Sequence, residues 1–167
     1  MKKLFAAFAA VIMITAAFTS CGKSSASYNL EDLFTAVESS VKIDNPIDFT
    51  DDDLQYTAGI NKEDVEEYKG KVTNTNGEAG KLLVVKAKAG KADAVKTCLE
   101  TMRAGDVSYL GNYPEFALAK SIAEAARIVV KGDYIIYAVG GDKTVAEKDG
   151  AEKAYEPIDL AISEAFK

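Results

Sequence analysis

Apolar residues recur at Leu30, Leu33, Phe34, Val37 and Val41, and this spacing of three and four predicts a helix with one buried stripe. Asn29 stands at its cap position, with Asp32 three residues on. Pro46 then breaks the pattern, and Thr50 with Asp53 forms a second cap that opens a short helix closed by Gly59. In "DVEEYKGKVTNT" the second half, with Tyr68, Val72 and Thr73, reads as a strand, and Asn76-Gly77 reads as a turn. "KLLVVKAKAG" is a further strand, in which Lys86 and Lys88 alternate and carry its end toward water. Past Gly90 the period changes, because Val95, Cys98, Leu99 and Met102 fall at helical spacing from Ala92 onward.

Pro114 starts another helix carrying Phe116, Ala119, Ile122 and Ala123. "RIVVKGDYIIYAV" contains two strand-like runs around Gly132-Asp133, a two-residue hairpin signal. Pro157 opens a last helix whose inward stripe is Ile158, Ala161, Ile162, Ala165 and Phe166. After N-terminal helices the order is β-β-α-β-β-α, which predicts an α+β two-layer sandwich: a mostly antiparallel four-stranded sheet with helices over one face. The patterns leave the strand order open.

Ahead of all this, Lys2 and Lys3 precede an uncharged, mostly apolar run from Leu4 to Phe18, which has the form of an export signal over residues 1–20. A permanent spanning helix wants about twenty apolar residues, and this run stops short of that. Phe18-Thr19-Ser20-Cys21 resembles a bacterial lipobox, which implies a diacylglyceryl group, and palmitate-type acyl chains, on Cys21. Phe18 stands where leucine is usual, leaving cleavage near Ala17 or Ser20, or an uncleaved anchor, as alternatives. Two or more acyl chains hold a protein stably at a bilayer, at about 0.8 kcal/mol per buried methylene. Residues 21–28, "CGKSSASY", then form a tether reaching at most about 25 Å, and residues 29–167 a single globular domain. The expected location is the outer face of the cytoplasmic membrane or, in a double-membrane cell, a periplasm-facing or outer membrane.

Composition narrows the chemistry. The 167 residues include no histidine, the side chain whose ordinary pKa lies nearest neutrality, and only two cysteines. Catalysis and zinc are both demoted, and with Cys21 as an anchor Cys98 has no disulfide partner. The net charge of −6 includes Lys2 and Lys3, so the chain beyond residue 20 stands at −8, a sign that disfavours nucleic acid as a partner. Acids crowd residues 31–67 and bases residues 69–131, a distribution that solvated, mutually balancing faces explain.

Several strings invite a chemical reading. Ser39-Ser40-Val41-Lys42 fits the S-x-x-K spacing that sets a serine nucleophile and a lysine base on one helical turn, but Ser20 to Lys23 fits it too and the companion motifs are missing. Gly80-Lys81 and Gly90-Lys91 lack the spacing of a phosphate-binding loop and read as turns with solvated lysines. Asp44, Asp48, Asp51, Asp52 and Asp53 offer oxygen ligands for calcium without EF-hand spacing; first-turn acids at a helix start explain the last three. Cys98 reads as a core residue and not a reactive thiol. Tyr109, Tyr113, Tyr134 and Tyr137 raise an exposed aromatic surface for glycan or protein, with Tyr134 on the sheet face opposite Tyr137. No catalytic residue, metal site or cofactor is assigned.

"YNLEDLF", "EEYKGKV", "LVVKAKAGKADAVKTCLETMR", the "YPE" at Tyr113 and "AARIVVKGDYIIYAV" together resemble bacterial exported lipoproteins carrying domain of unknown function 4358, over most of residues 28–140. The resemblance implies an envelope lipoprotein of unassigned activity, without a recognised cofactor or catalytic set. The expected function is a non-catalytic binding or assembly module, held to the membrane by lipid and facing an envelope protein or glycan. The alternatives are a glycan-cleaving enzyme using paired carboxylates and a small-ligand or calcium receptor.

Overall fold

The computed structural model describes residues 27–167, so the leader and Cys21 lie outside the described residues. The first helix, α1 (Leu30–Glu38), is capped as its pattern predicts: the Asp32 N–H donates to the Asn29 side chain at 3.0 Å, and Leu30, Leu33, Phe34 and Val37 are buried. Thr50 and Asp53 cap one another. The Asp53 N–H donates to Thr50 Oγ1 at 3.2 Å and the Thr50 N–H to Asp53 Oδ2 at 2.8 Å, opening a π-helical turn, Asp53–Thr57.

The sheet is antiparallel throughout, with the order β1-β2-β3-β5-β4. Its strands are β1 (Pro46–Asp48), β2 (Val65–Thr73), β3 (Lys81–Ala87), β4 (Arg127–Lys131) and β5 (Tyr134–Val139). The α+β class, the antiparallel pairing and the Gly132-Asp133 hairpin follow the sequence pattern, with Lys131 paired to Tyr134 across a two-residue turn. A fifth strand, β1, extends the expected four. Pro46 breaks the helical pattern and also begins this edge strand, at the position where its missing N–H removes no ladder bond.

The remaining helices are α2 (Ala92–Gly111), α3 (Ala117–Glu124), α4 (Lys143–Asp149), α5 (Ala151–Ala154) and α6 (Glu156–Ala165). They cover both sheet faces, so three layers replace the two expected. The reason is readable in β3 and β5, which are apolar on both alternations: Leu82, Val84, Ile136 and Ala138 face one way, Leu83, Val85, Ile135 and Tyr137 the other, all buried. On the first face, Lys69 pairs with Glu31 and Lys71 with Glu38 of α1, while Arg127 holds Asp159 of α6 at 2.8 Å. On the second, Lys81 reaches Asp106 of α2. The segment α4–α5, which no pattern predicted, starts at Asp142, whose side chain accepts the Val145 N–H at 3.1 Å.

One end of the sheet holds the start of the domain. Tyr28 donates to the Phe166 carbonyl at 3.3 Å and accepts on its own carbonyl from the Tyr134 hydroxyl at 2.5 Å; its ring meets those of Tyr134 and Phe166 edge-on at 5.4 and 5.1 Å. Lys131 Nζ lies 5.4 Å from the Tyr28 and Phe166 ring centres.

Candidate functional site

At the other end of the sheet three segments converge. The β2–β3 turn carries Asn76, Gly77 and Glu78; Pro114 starts the turn that leads into α3 and presents Glu115 and Phe116; α4 brings Lys143 and Glu147, one helical turn apart on the same face. Between them lies a cavity of about 340 Å³. Lys143 bridges two of the segments and a fourth, donating to Glu78 at 2.6 Å and to Asp44 at 2.5 Å. Burial pulls the Lys143 pKa down, but these two carboxylates outweigh it and hold the ammonium above the ordinary lysine value. Glu115 and Glu147 are exposed and form no ion pair among the described residues.

An aromatic shelf continues from the cavity. Phe116 is half-buried against Gly77, whose φ of +78° and missing side chain let the ring lie where a Cβ would come within 2.2 Å of it. The Tyr113 ring is tilted against Phe116 at 5.2 Å and meets Tyr109 edge-on at 5.7 Å. Tyr109 donates to Asn76 Oδ1 at 3.0 Å, which fixes the shelf to the cavity wall. These two tyrosines remain 47% and 43% exposed, so the shelf keeps aromatic surface open to solvent.

The four tyrosines raised by the sequence therefore separate into pairs. Tyr109 and Tyr113 form the shelf, whereas Tyr134 and Tyr137 are buried on opposite faces, because helices cover both sides of β5. Burial, then the Asp106 charge, pushes the Tyr137 phenol well above the ordinary value, and its hydroxyl has no hydrogen-bond partner among the described residues.

The other candidates resolve into structure. α1 ends at Glu38, so Ser39 and Lys42 do not share a helical turn; Ser39 and Ser40 edge a shallow groove of about 490 Å³ between α1 and α6, whose other walls include Pro157, Leu160 and Ala161. This groove is the larger depression, yet its walls carry little that can react. Asp51 accepts from Lys62 and from the Tyr68 hydroxyl, bonds that hold its carboxyl below the usual range; Asp53 is the cap of Thr50. Among the described residues no group of three or more carboxylate or cysteine side chains is placed to hold a metal ion. Lys91 is solvated as expected, 2.8 Å from Asp64. Lys81 is the correction: it lies buried within β3, paired with Asp106, because its strand position aims it under α2. Cys98 is half-buried, its Sγ 3.2 Å from the Gly59 carbonyl oxygen. Cys21 lies outside the described residues.

The sequence reading missed Asn76, Glu78, Glu115, Lys143 and Glu147 as neighbours. Asp142 followed by Val145, with the Lys143 and Glu147 spacing and Gly150 beyond, is the signal for α4 that went unread.

The family model described as "Domain of unknown function (DUF4358)" matches residues 39–140, more than half of the chain. The match takes in the turn and the aromatic shelf and ends before Lys143. No curated protein and no solved structure gives a significant match.

Proposed function

The chain belongs to the DUF4358 family, and we propose that it is a lipid-anchored envelope module, non-catalytic, that meets its partner through the pole opposite its tether. One observation carries the reading. Tyr28, the point where the chain enters the domain, sits beside Tyr134 and Lys131, whereas the cavity adjoins the starts of β3 and α4. Lys86 pairs with Tyr134 and Lys81 with Val139, so the two poles are separated by the length of β3, about 17 Å. A tether of a few residues from Cys21 holds the Tyr28 pole within about 25 Å of the bilayer and biases the cavity and tyrosines, at the far end of β3, outward. The charged leader start, the apolar run and the lipobox-like Phe18 to Cys21 support the anchor.

The test is intact mass and membrane partitioning of the native protein beside Cys21→Ala. Acyl mass and membrane retention in the first, both lost in the second, are expected; a lipid-free N-terminus elsewhere overturns the anchor. Orientation is read by quenching from spin-labelled lipid. A fluorophore at Asp133→Cys is quenched and one at Glu147→Cys is not; the reverse order overturns the outward pole.

Glu78, Glu115 and Glu147 around one cavity favour the carboxylate glycosidase as a second reading. That chemistry needs one carboxyl in a dry, enclosed setting to act as acid, and Glu115 and Glu147 stand exposed. Release of reducing ends from envelope glycan by the native protein, abolished in Glu115→Gln or Glu147→Gln, would replace the binding module with an enzyme.

A further inference from the structure

We infer that the outward cavity and its tyrosine shelf form a saccharide-binding site. The inference rests on the outward pole being the working end. Tyr109 and Tyr113 offer exposed aromatic surface, backed by the half-buried Phe116 and held in place by the Asn76 hydrogen bond and the Gly77 contact. Ring faces carry the negative part of the aromatic quadrupole and favour a weakly positive, apolar surface, such as the C–H face of a pyranose. Tyrosine loses little conformational entropy when it is covered, since only two side-chain torsions are fixed.

The cavity beside the shelf asks for the opposite chemistry. Carboxylates only accept hydrogen bonds, so whatever covers Glu115 and Glu147 must bring donors or leave buried charge uncompensated. Lys143 is already engaged by Asp44 and Glu78, which fixes Glu78 and leaves the exposed glutamates to a ligand. A protein partner's apolar side chain meets the shelf but fails this wall. A sugar satisfies both, because each ring has an apolar face and an edge of hydroxyl donors. At about 340 Å³ the cavity lies near the lower end of small-molecule sites, suited to one or two sugar units with the rest of a chain running over the tyrosines.

The test uses the full-length protein purified in detergent, titrated calorimetrically with N-acetylated chitotetraose, with cellotetraose and with spermidine as a donor-rich ligand that is not a sugar. Saturable binding of at least one tetrasaccharide is expected, weakened about tenfold or more in Tyr113→Ala and in Glu147→Gln. Both residues are exposed, so the fold survives their replacement. Leu160→Ala, in the groove between α1 and α6, leaves binding unchanged. Absence of binding to both tetrasaccharides, binding that survives both site substitutions, or spermidine that displaces the sugar overturns the inference. Intact mass reads the anchor separately, so failure of the site and failure of the tether are told apart.

Discussion

Gly77→Ala tests whether the aromatic shelf is built on a glycine. Two effects add at this position. The backbone φ of +78° costs a residue with a Cβ about 1–2 kcal/mol, and the new Cβ would sit 2.2 Å from Phe116 Cε1. Either the turn or the ring has to move. Displacing the half-buried ring forfeits about 1 kcal/mol of burial and about 0.5–1.5 kcal/mol of contact with the tyrosine rings. A loss of conformational freedom in the unfolded chain offsets about 0.4–1 kcal/mol, leaving a net destabilisation of about 1.5–4 kcal/mol. Gly90→Ala is the internal reference: its φ is +76° and no atom lies within 4 Å of the new Cβ, so it carries the backbone effect alone. Thermal unfolding followed by circular dichroism should place Gly77→Ala below Gly90→Ala by several degrees, at about 2–4 °C per kcal/mol. The chain has no tryptophan, so no indole band masks the tyrosine band of the near-ultraviolet spectrum, to which the two shelf tyrosines contribute among eight, and the band should change in Gly77→Ala and not in Gly90→Ala. Combining Gly77→Ala with Phe116→Ala removes the collision, and the pair should destabilise by less than the sum of the single changes. Equal melting of the two glycine variants with an unchanged tyrosine band would refute the reasoning.

Two further predictions concern the core tyrosines. Tyr155 donates to the Ile122 carbonyl at 2.7 Å and accepts from the Gly140 N–H at 3.2 Å, so Tyr155→Phe strands two buried backbone groups and should lower stability by about 1–3 kcal/mol in denaturant unfolding. Tyr137→Phe removes a hydroxyl without a partner and should leave stability unchanged or raise it; a larger loss there than at Tyr155 would show a missed partner. Stability should also fall in alkali. Burial, then the Asp51 hydrogen bond, pushes Tyr68 up to about 12, and burial pushes Tyr155 up to about 12, from an ordinary 10.0. A raised folded value means the contribution is intact below pH 10 and lost as pH rises through 12. A melting temperature that stays flat from pH 9 to about 12 contradicts this.

The elements that carried a strong local signal were legible. Asn29 with Asp32, Thr50 with Asp53, and the Gly132-Asp133 hairpin each declare themselves within four residues, because caps and tight turns are local chemistry. The second helical layer was not, although "LLVV" and "IIYAV" held the clue: strands apolar on both alternations need cover on both faces. β1 was hidden by Pro46, which signals a break and an edge equally well. The cavity was the least legible feature. Its residues come from positions 76–78, 115–119 and 143–147, and only the chain's return after β5 brings α4 beside the β2–β3 turn. Lys143 and Glu147 look like ordinary solvated helix charges until Glu78 is placed next to them.

The same return constrains where any partner can bind. Helices cover both faces over the central strands, so neither sheet face offers an open surface there, and what stays accessible is an edge, a pole or the outer side of the helices, where the α1–α6 groove lies. Of the two edges, β1 is three residues long and opens with proline, which makes it a poor template for strand addition, whereas β4 is five residues long and partly exposed. The Tyr28 pole is closed by its own aromatic contacts with Tyr134 and Phe166, by the Lys131 ammonium over the Tyr28 and Phe166 rings, and by the entry of the chain. The opposite pole is different in kind. It is built from connections and not from regular elements, it leaves two tyrosine rings half open, and it places carboxylates where a ligand can reach them. Loops held by a rigid scaffold are where binding groups concentrate. Covering both faces stabilises the sheet, and the same covering leaves the loop-built pole as the place where exposed aromatic and carboxylate groups stand together.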